Sequence, residues 1–182
     1  MKHSRLSIQD LCSVALCTAI IAVLAQLSIP MPLGVPATLQ TFAIILAATI
    51  LGSRKGALAA LIYVLLGAIG LPIFHNFTGG FQIIFGPTGG FLLSFPVMAY
   101  IVGYGIQKTG RWMQIFTVTA GLILNHAAGV AMFCLITKGT LAAALTACVI
   151  PFLPTTIIQA ILGSMLGNKI RKRLKLETIN LF

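Results

Sequence analysis

The sequence predicts an all-α membrane protein: a bundle of six transmembrane helices, with both termini in the cytoplasm. Three observations carry that expectation. Of 182 residues, 58% are hydrophobic and only 8% are charged, whereas soluble domains run closer to a quarter charged. Mean hydropathy is +1.04, more apolar surface than a water-soluble chain of this length can hide, so the bilayer is its solvent. Six apolar segments follow one another, and the basic residues sit between them on alternate connections only.

The segments are residues 11–29, 38–51, 56–71, 91–106, 112–136 and 141–167. A spanning helix needs about 20 apolar residues, so the second and third are short and require little tilt or a thinned bilayer. Lys2 and Arg5 precede the first segment, and Val23-Leu24-Ala25 has the form of a cleavage site. The apolar run continues to Ile29, however, and further segments follow, so it reads as a span. Arg54 and Lys55 separate segments two and three, Lys108 and Arg111 separate four and five, and Lys169, Arg171, Lys172, Arg173 and Lys175 follow the sixth. With six crossings, these eleven of the twelve Lys and Arg residues fall on one side and only Lys138 on the other. That asymmetry makes their side cytoplasmic. The whole chain, residues 1–182, reads as one integral-membrane domain, and its basic tail as an anchor to anionic lipid rather than a nucleic-acid site.

The opposite face then carries two uncharged connections rich in glycine and proline, "SIPMPLGVP" (residues 28–36) and the stretch holding "NFTGGF" and "FGPTGGF" (residues 76–91). Irregular backbone at membrane depth survives only where it is buried or lines a cavity. These connections are therefore expected to cap a pocket open to the outside.

Several chemistries are excluded. No phosphate-cradling G-x-x-x-x-G-K-[ST] occurs, so the chain does not itself bind a nucleotide that way. The two acids, Asp10 and Glu177, lie outside the middle of any span, where an ion-coupled carrier would need them. Ser164 and His126 are nucleophile and base by type only, with no motif around them, so no enzyme is expected. Cys12, Cys17, Cys134 and Cys148 form no C-x-x-C pair, and no metal-ligand spacing is present. Any pumping must draw its energy from a partner.

Polar side chains inside apolar spans are costly unless satisfied, which makes each a candidate. Gln40 opens segment two. Asn125 and His126 sit in the middle of segment five. Thr155, Thr156 and Gln159 follow Pro151 and Pro154, which interrupt the helical ladder; Thr156 and Gln159 share a face. Asn125 reads equally as glue between helices. Ala15 and Ala19, extended by Ala22, form a small-residue stripe that either packs inside the bundle or meets a partner helix.

The runs "TLQT" (residues 38–41), "LGSRKGALAALIYVLLGAIGLPIF" (residues 51–74) and "FGPTGGFLLSF" (residues 85–95) closely resemble the BioY family, the biotin-specific substrate-binding S components of energy-coupling-factor vitamin importers. The resemblance runs from segment one to the "IPFLP" of segment six. It implies the six-helix S-component bundle, a transmembrane coupling protein and two cytoplasmic ATPases as partners, docking through Ala15 and Ala19, and outer connections whose glycines let backbone amides approach the vitamin. The expected ligand contacts are Gln40, Tyr63, Asn76, Thr88, Asn125, His126, Thr156 and Gln159. One departure stands out. Where the family reads F-x-P-G-D-x-x-K, this chain has "FLPTTIIQA", with Thr156 for the acid that binds the ureido ring and Gln159 for the lysine near the carboxylate. Neutral groups bind more weakly than charged ones, and His126 is expected to compensate as an added donor. The expected function is biotin import across the cell membrane, with lipoate or dethiobiotin as alternative ligands and a stand-alone facilitator or channel as the rival from another class.

Overall fold

The computed structural model describes residues 7–29, 31, 35–108 and 110–174. Lys2, Arg5, Lys175, Glu177 and part of the connection at 28–36 lie outside the described residues. The protein is an all-α, multi-pass membrane bundle. Its helices are α1 (Ile8–Ala25), α2 (Gln40–Leu51), α3 (Ser53–Ala68), α4 (Phe81–Ile84), α5 (Gly89–Gln107), α6 (Arg111–Thr137), α7 (Leu141–Cys148) and α8 (Leu153–Arg173). Between α1 and α2, β1 (Ser28–Ile29) pairs antiparallel with β2 (Ala37–Thr38), Ser28 facing Thr38. By length and composition, residues 8–25, 89–107, 111–137 and 141–173 are able to cross a membrane.

Each boundary has a local cause. Ser7 caps α1, its hydroxyl accepting from the Asp10 amide while the Asp10 carboxylate accepts from the Ser7 amide, a reciprocal capping box. Asp10 also pairs with Lys55, tying the start of α1 to the start of α3. Gly52, at φ 82°, makes the turn between α2 and α3, a conformation that costs a residue with a Cβ.

The shortness of α2 has a structural reason. Helix α2 has 12 residues, of which ten are buried, packed among α1, α3, α5 and α8. A helix apolar all round belongs inside a bundle, so α2 meets protein rather than lipid and need not match the bilayer by itself. The sixth segment, expected as one helix over residues 141–167, is instead broken. Helix α7 ends at Cys148, residues Ile150–Phe152 form a 3-10 turn, and α8 begins at Leu153. Pro151 and Pro154 lack the amide donors that a continuous ladder requires there.

Helices α5 and α6 form the closest pair. A methyl group on Gly90 would overlap the Ala128 carbonyl, and one on Gly129 would overlap the Phe91 ring. The glycines of "GPTGG" therefore serve chain-to-chain approach: Gly89 abuts the Ile84 carbonyl and Gly90 the backbone of α6. We expect Gly90→Val to destabilise the protein by about 1–3 kcal/mol through overpacking, read as a lower thermal midpoint in detergent.

Candidate functional site

A cavity opens where α2, α5 and α8 begin. Its walls come from the β1–β2 connection and β2 (Val35 to Thr38), α2 (Gln40, Thr41), the α3–α4 connection (His75), α5 (Thr88, Phe91, Leu92, Phe95), α6 (Asn125, His126) and the α7–α8 break (Cys148, Phe152, Thr155, Thr156, Gln159). Its empty space is about 650 Å3 including the mouth, of which about 70 Å3 admits the centre of a water molecule. It is a narrow slot, tighter than most small-molecule sites.

Six of the eight expected contact residues meet here: Gln40, Thr88, Asn125, His126, Thr156 and Gln159. Tyr63 and Asn76 do not line the slot but support it. Tyr63 is fully buried, its ring edge-on to Phe74 at 5.5 Å, and its hydroxyl accepts from Gln40 Nε2 at 2.6 Å. With Thr38 Oγ1 donating to Gln40 Oε1 at 3.0 Å, the Gln40 amide is fixed at the wall. Asn76 accepts from Ser28 Oγ at 2.8 Å. Asn76 and Phe77 both sit at φ 53°, strained for non-glycine residues and most so for phenylalanine. Gln26 helps hold this turn, its Oε1 accepting from the Phe77 amide at 2.8 Å and its Nε2 donating to the Ile73 carbonyl at 3.1 Å. The turn carries His75 into the wall. Burial pushes the His75 imidazole below its ordinary pKa, which favours its neutral form.

The polar atoms left over define what the slot can bind. Asn125, 1% exposed, donates through Nδ2 to the Phe91 carbonyl at 3.0 Å and to Ser94 Oγ at 2.8 Å. It therefore joins α6 to α5 and keeps Oδ1 as a free acceptor. His126 Nδ1 lies 2.9 Å from the Leu122 carbonyl. A carbonyl only accepts, so Nδ1 carries the proton and the neutral ring presents Nε2 as an acceptor. In that tautomer His126 offers the slot an acceptor, where the sequence led to the expectation of a donor. Thr156, 8% exposed, forms no side-chain hydrogen bond among the described residues. Gln159 is partly committed: its Oε1 accepts from the Phe42 amide at 3.0 Å and its Nε2 donates to the Thr38 carbonyl at 3.1 Å, stapling α8 to the start of α2 and leaving one N–H. No described glycine lines the slot.

Three helix starts converge on the slot, each bringing a partial positive charge, although several of their first amides are already paired: Gln40 with Thr38 Oγ1, Phe42 with Gln159 Oε1, Gly89 with the Gly86 carbonyl and Leu153 with the Val149 carbonyl. No Lys, Arg, Asp or Glu is among its lining residues. The remaining predicted residues lie elsewhere. Ala15 and Ala19 are exposed on α1, opposite its buried Val14, Cys17, Thr18 and Ile21, so the stripe faces outward rather than into the bundle. Ser164 lies on α8 outside the slot. His75, Thr38 and Thr41 line it but were not singled out from the sequence. Thr38 and Thr41 fall within "TLQT"; His75 carries no signal beyond its type.

A double-mutant cycle between Asn125→Ala and Ser94→Ala should give a coupling of about 0.6 kcal/mol, and at most about 1.7 kcal/mol, measured by unfolding in detergent.

The BioY family profile matches residues 1–176. Biotin transporter BioY2 of Lactococcus lactis subsp. cremoris is 40% identical over 156 residues, covering 85% of this chain and 85% of that protein. Biotin transporter BioY of Thermotoga maritima is 36% identical over 156 residues, covering 85% and 91%. A crystal structure of the S-component for biotin from an ECF-type ABC transporter superposes with a TM-score of 0.83 over 94% of this chain and 95% of that one, at 24% identity, a likeness of fold.

Proposed function

The chain belongs to the BioY family, and we propose that it is the membrane-embedded, substrate-binding S component of an energy-coupling-factor importer whose ligand is biotin. The observation that carries the ligand is the acceptor set of the slot. Asn125 Oδ1, His126 Nε2 and the Thr156 hydroxyl are available to receive N–H groups, and Pro96 removes the helical donor that the Leu92 carbonyl would otherwise meet. A ureido ring supplies two N–H groups. The dithiolane of lipoate supplies none and would leave buried acceptors unmatched, at about 1–3 kcal/mol each. Dethiobiotin keeps the ureido group and fits the same acceptors. The starts of α2, α5 and α8 border the same slot, and helix ends favour an anion there without a fixed cation.

In this reading, α1, α2, α3, α5, α6 and α8 make six crossings, both ends are cytoplasmic, and the slot opens outward, as the one-sided distribution of basic residues requires. The exposed Ala15–Ala19 face of α1 docks on a transmembrane coupling protein, and two cytoplasmic ATPases supply the power stroke. The chain is not an enzyme; it captures ligand and is reoriented by its partners. A stand-alone channel fits less well. Ile44, Ile45, Met98 and Val102 are fully buried one or two turns inward of the slot-lining residues on α2 and α5, and apolar packing of that kind closes a polar path.

By calorimetry, the purified chain should bind biotin and dethiobiotin, with lipoate at least about 100-fold weaker. Equal affinity for lipoate would remove the basis of the assignment. Thr156→Val, which preserves shape but deletes the hydroxyl, should weaken biotin about tenfold, close to the 1–1.5 kcal/mol of one hydrogen bond. Liposomes holding this chain alone should accumulate no biotin.

A further inference from the structure

The slot offers acceptors to the ring of a ligand but no fixed charge to its anionic end. Of its lining residues only His75 and His126 become cations on protonation, and Cys148 is the remaining titratable group. The two histidines are not equivalent. His126 is oriented by the Leu122 carbonyl, with its Nε2 presented as an acceptor. The His75 ring has no hydrogen-bond partner among the described residues, although the turn bearing it is strained and clamped by Gln26 and Ser28 through its neighbours.

We propose that His75 is the proton-switched counter-ion of the site: it takes up a proton as a carboxylate ligand enters, so that this protein holds its anionic ligand more tightly as pH falls. The inference rests on the reading above that the ligand carries a carboxylate as well as an N–H-bearing ring.

The sign follows from the surroundings. Desolvation holds the imidazole of the empty slot below its ordinary value; a carboxylate within about 4–6 Å favours the charged form and raises it. Binding therefore takes up a proton in the interval between the free and bound values, and affinity increases toward lower pH across that interval. The polar groups that line the slot with His75 or hold its turn do not supply this charge in its place. Gln26, Ser28 and Thr38 from the α1–α2 connection, Gln40 and Thr41 of α2, Thr88 of α5, and Thr155, Thr156 and Gln159 of α8 are neutral. The cations of the packed helices lie toward other ends. Arg54 and Lys55 open α3, Lys108 follows α5, Arg111 opens α6, and Lys169 to Arg173 close α8. Lys138, after α6, is about 18 Å along the helix from His126. Asp10, at the far end of α1, is paired with Lys55.

The test measures equilibrium binding of biotin and of its neutral methyl ester to the full chain in detergent between pH 5.5 and 7.5, where a carboxylic acid stays ionised. Biotin should bind roughly tenfold tighter at pH 5.5, while the ester is flat. In His75→Gln the slope for biotin disappears, and continued, pH-independent binding of the ester shows that the slot is intact. In His75→Lys the charge is permanent in this range and biotin is held tightly at every pH. A flat biotin profile in the parent protein, or an unchanged slope in His75→Gln, overturns the role of His75 and leaves the biotin reading standing. Binding of neither biotin nor its ester at any pH overturns the biotin reading itself, and this inference with it.

Discussion

A charge surrounded by lipid and protein must be paired or it costs several kcal/mol, and the cavity of this protein contains no fixed charge. Most of its design follows from that. Among the described residues, charges are kept at helix ends away from the slot, and several are partnered there. Asp10 joins Lys55. The buried Arg171 sits with its guanidinium Nη1 at 3.4 and 3.3 Å from the Thr49 and Ile50 carbonyls, capping the last turn of α2. Lys108 lies over the Tyr104 ring at 5.2 Å. At the slot, the polar groups are amides, hydroxyls and two imidazoles, beside the partial charges of three helix starts. Such groups need no counter-ion when the site is empty, which suits a pocket that must exist both with and without its ligand.

The same economy explains why regular structure fails where it does. The α7–α8 break, the start of α2 and the αL turn at Asn76 and Phe77 all border the slot. Helix ends free their amides, prolines free carbonyls, and both are useful only where a ligand or a neighbouring side chain receives them. Away from the slot the bundle is regular. The staples are specific: Gln159 ties α8 to α2, Asn125 ties α6 to α5, and Tyr63 fixes Gln40. These contacts let a small set of side chains hold the geometry of a site assembled from residues more than 100 positions apart.

Much of this was legible in the sequence because the bilayer imposes coarse rules. Apolar runs marked the helices to within a few residues, and the rarity of polar groups in those runs made Gln40, Asn125, His126, Thr156 and Gln159 conspicuous. What stayed hidden depended on tertiary placement. The shortness of α2 needed its burial to make sense. The prolines at 151 and 154 announced a disturbance, but only the fold shows it dividing the segment into two helices. Tyr63 and Asn76 act through neighbours, which spacing along the chain does not reveal. His75 is placed by a strained turn held from α1, some 50 residues away in sequence. The direction of the His126 hydrogen bond depends on a carbonyl one helical turn earlier. The glycines of residues 86–90 read as room for a ligand, and only the fold shows that Gly89 and Gly90 make room for backbone.

The central claim is that a charge-free slot at three helix starts reads the N–H groups of its ligand with Asn125, His126 and Thr156. The most direct measurement is an experimental structure of the chain with biotin bound. The account predicts the ureido N–H groups within hydrogen-bonding distance of those three side chains, and the carboxylate toward His75 and the starts of α2, α5 and α8. Biotin bound in the opposite sense, with its carboxylate against Asn125 and Thr156, or bound outside the slot altogether, would contradict it.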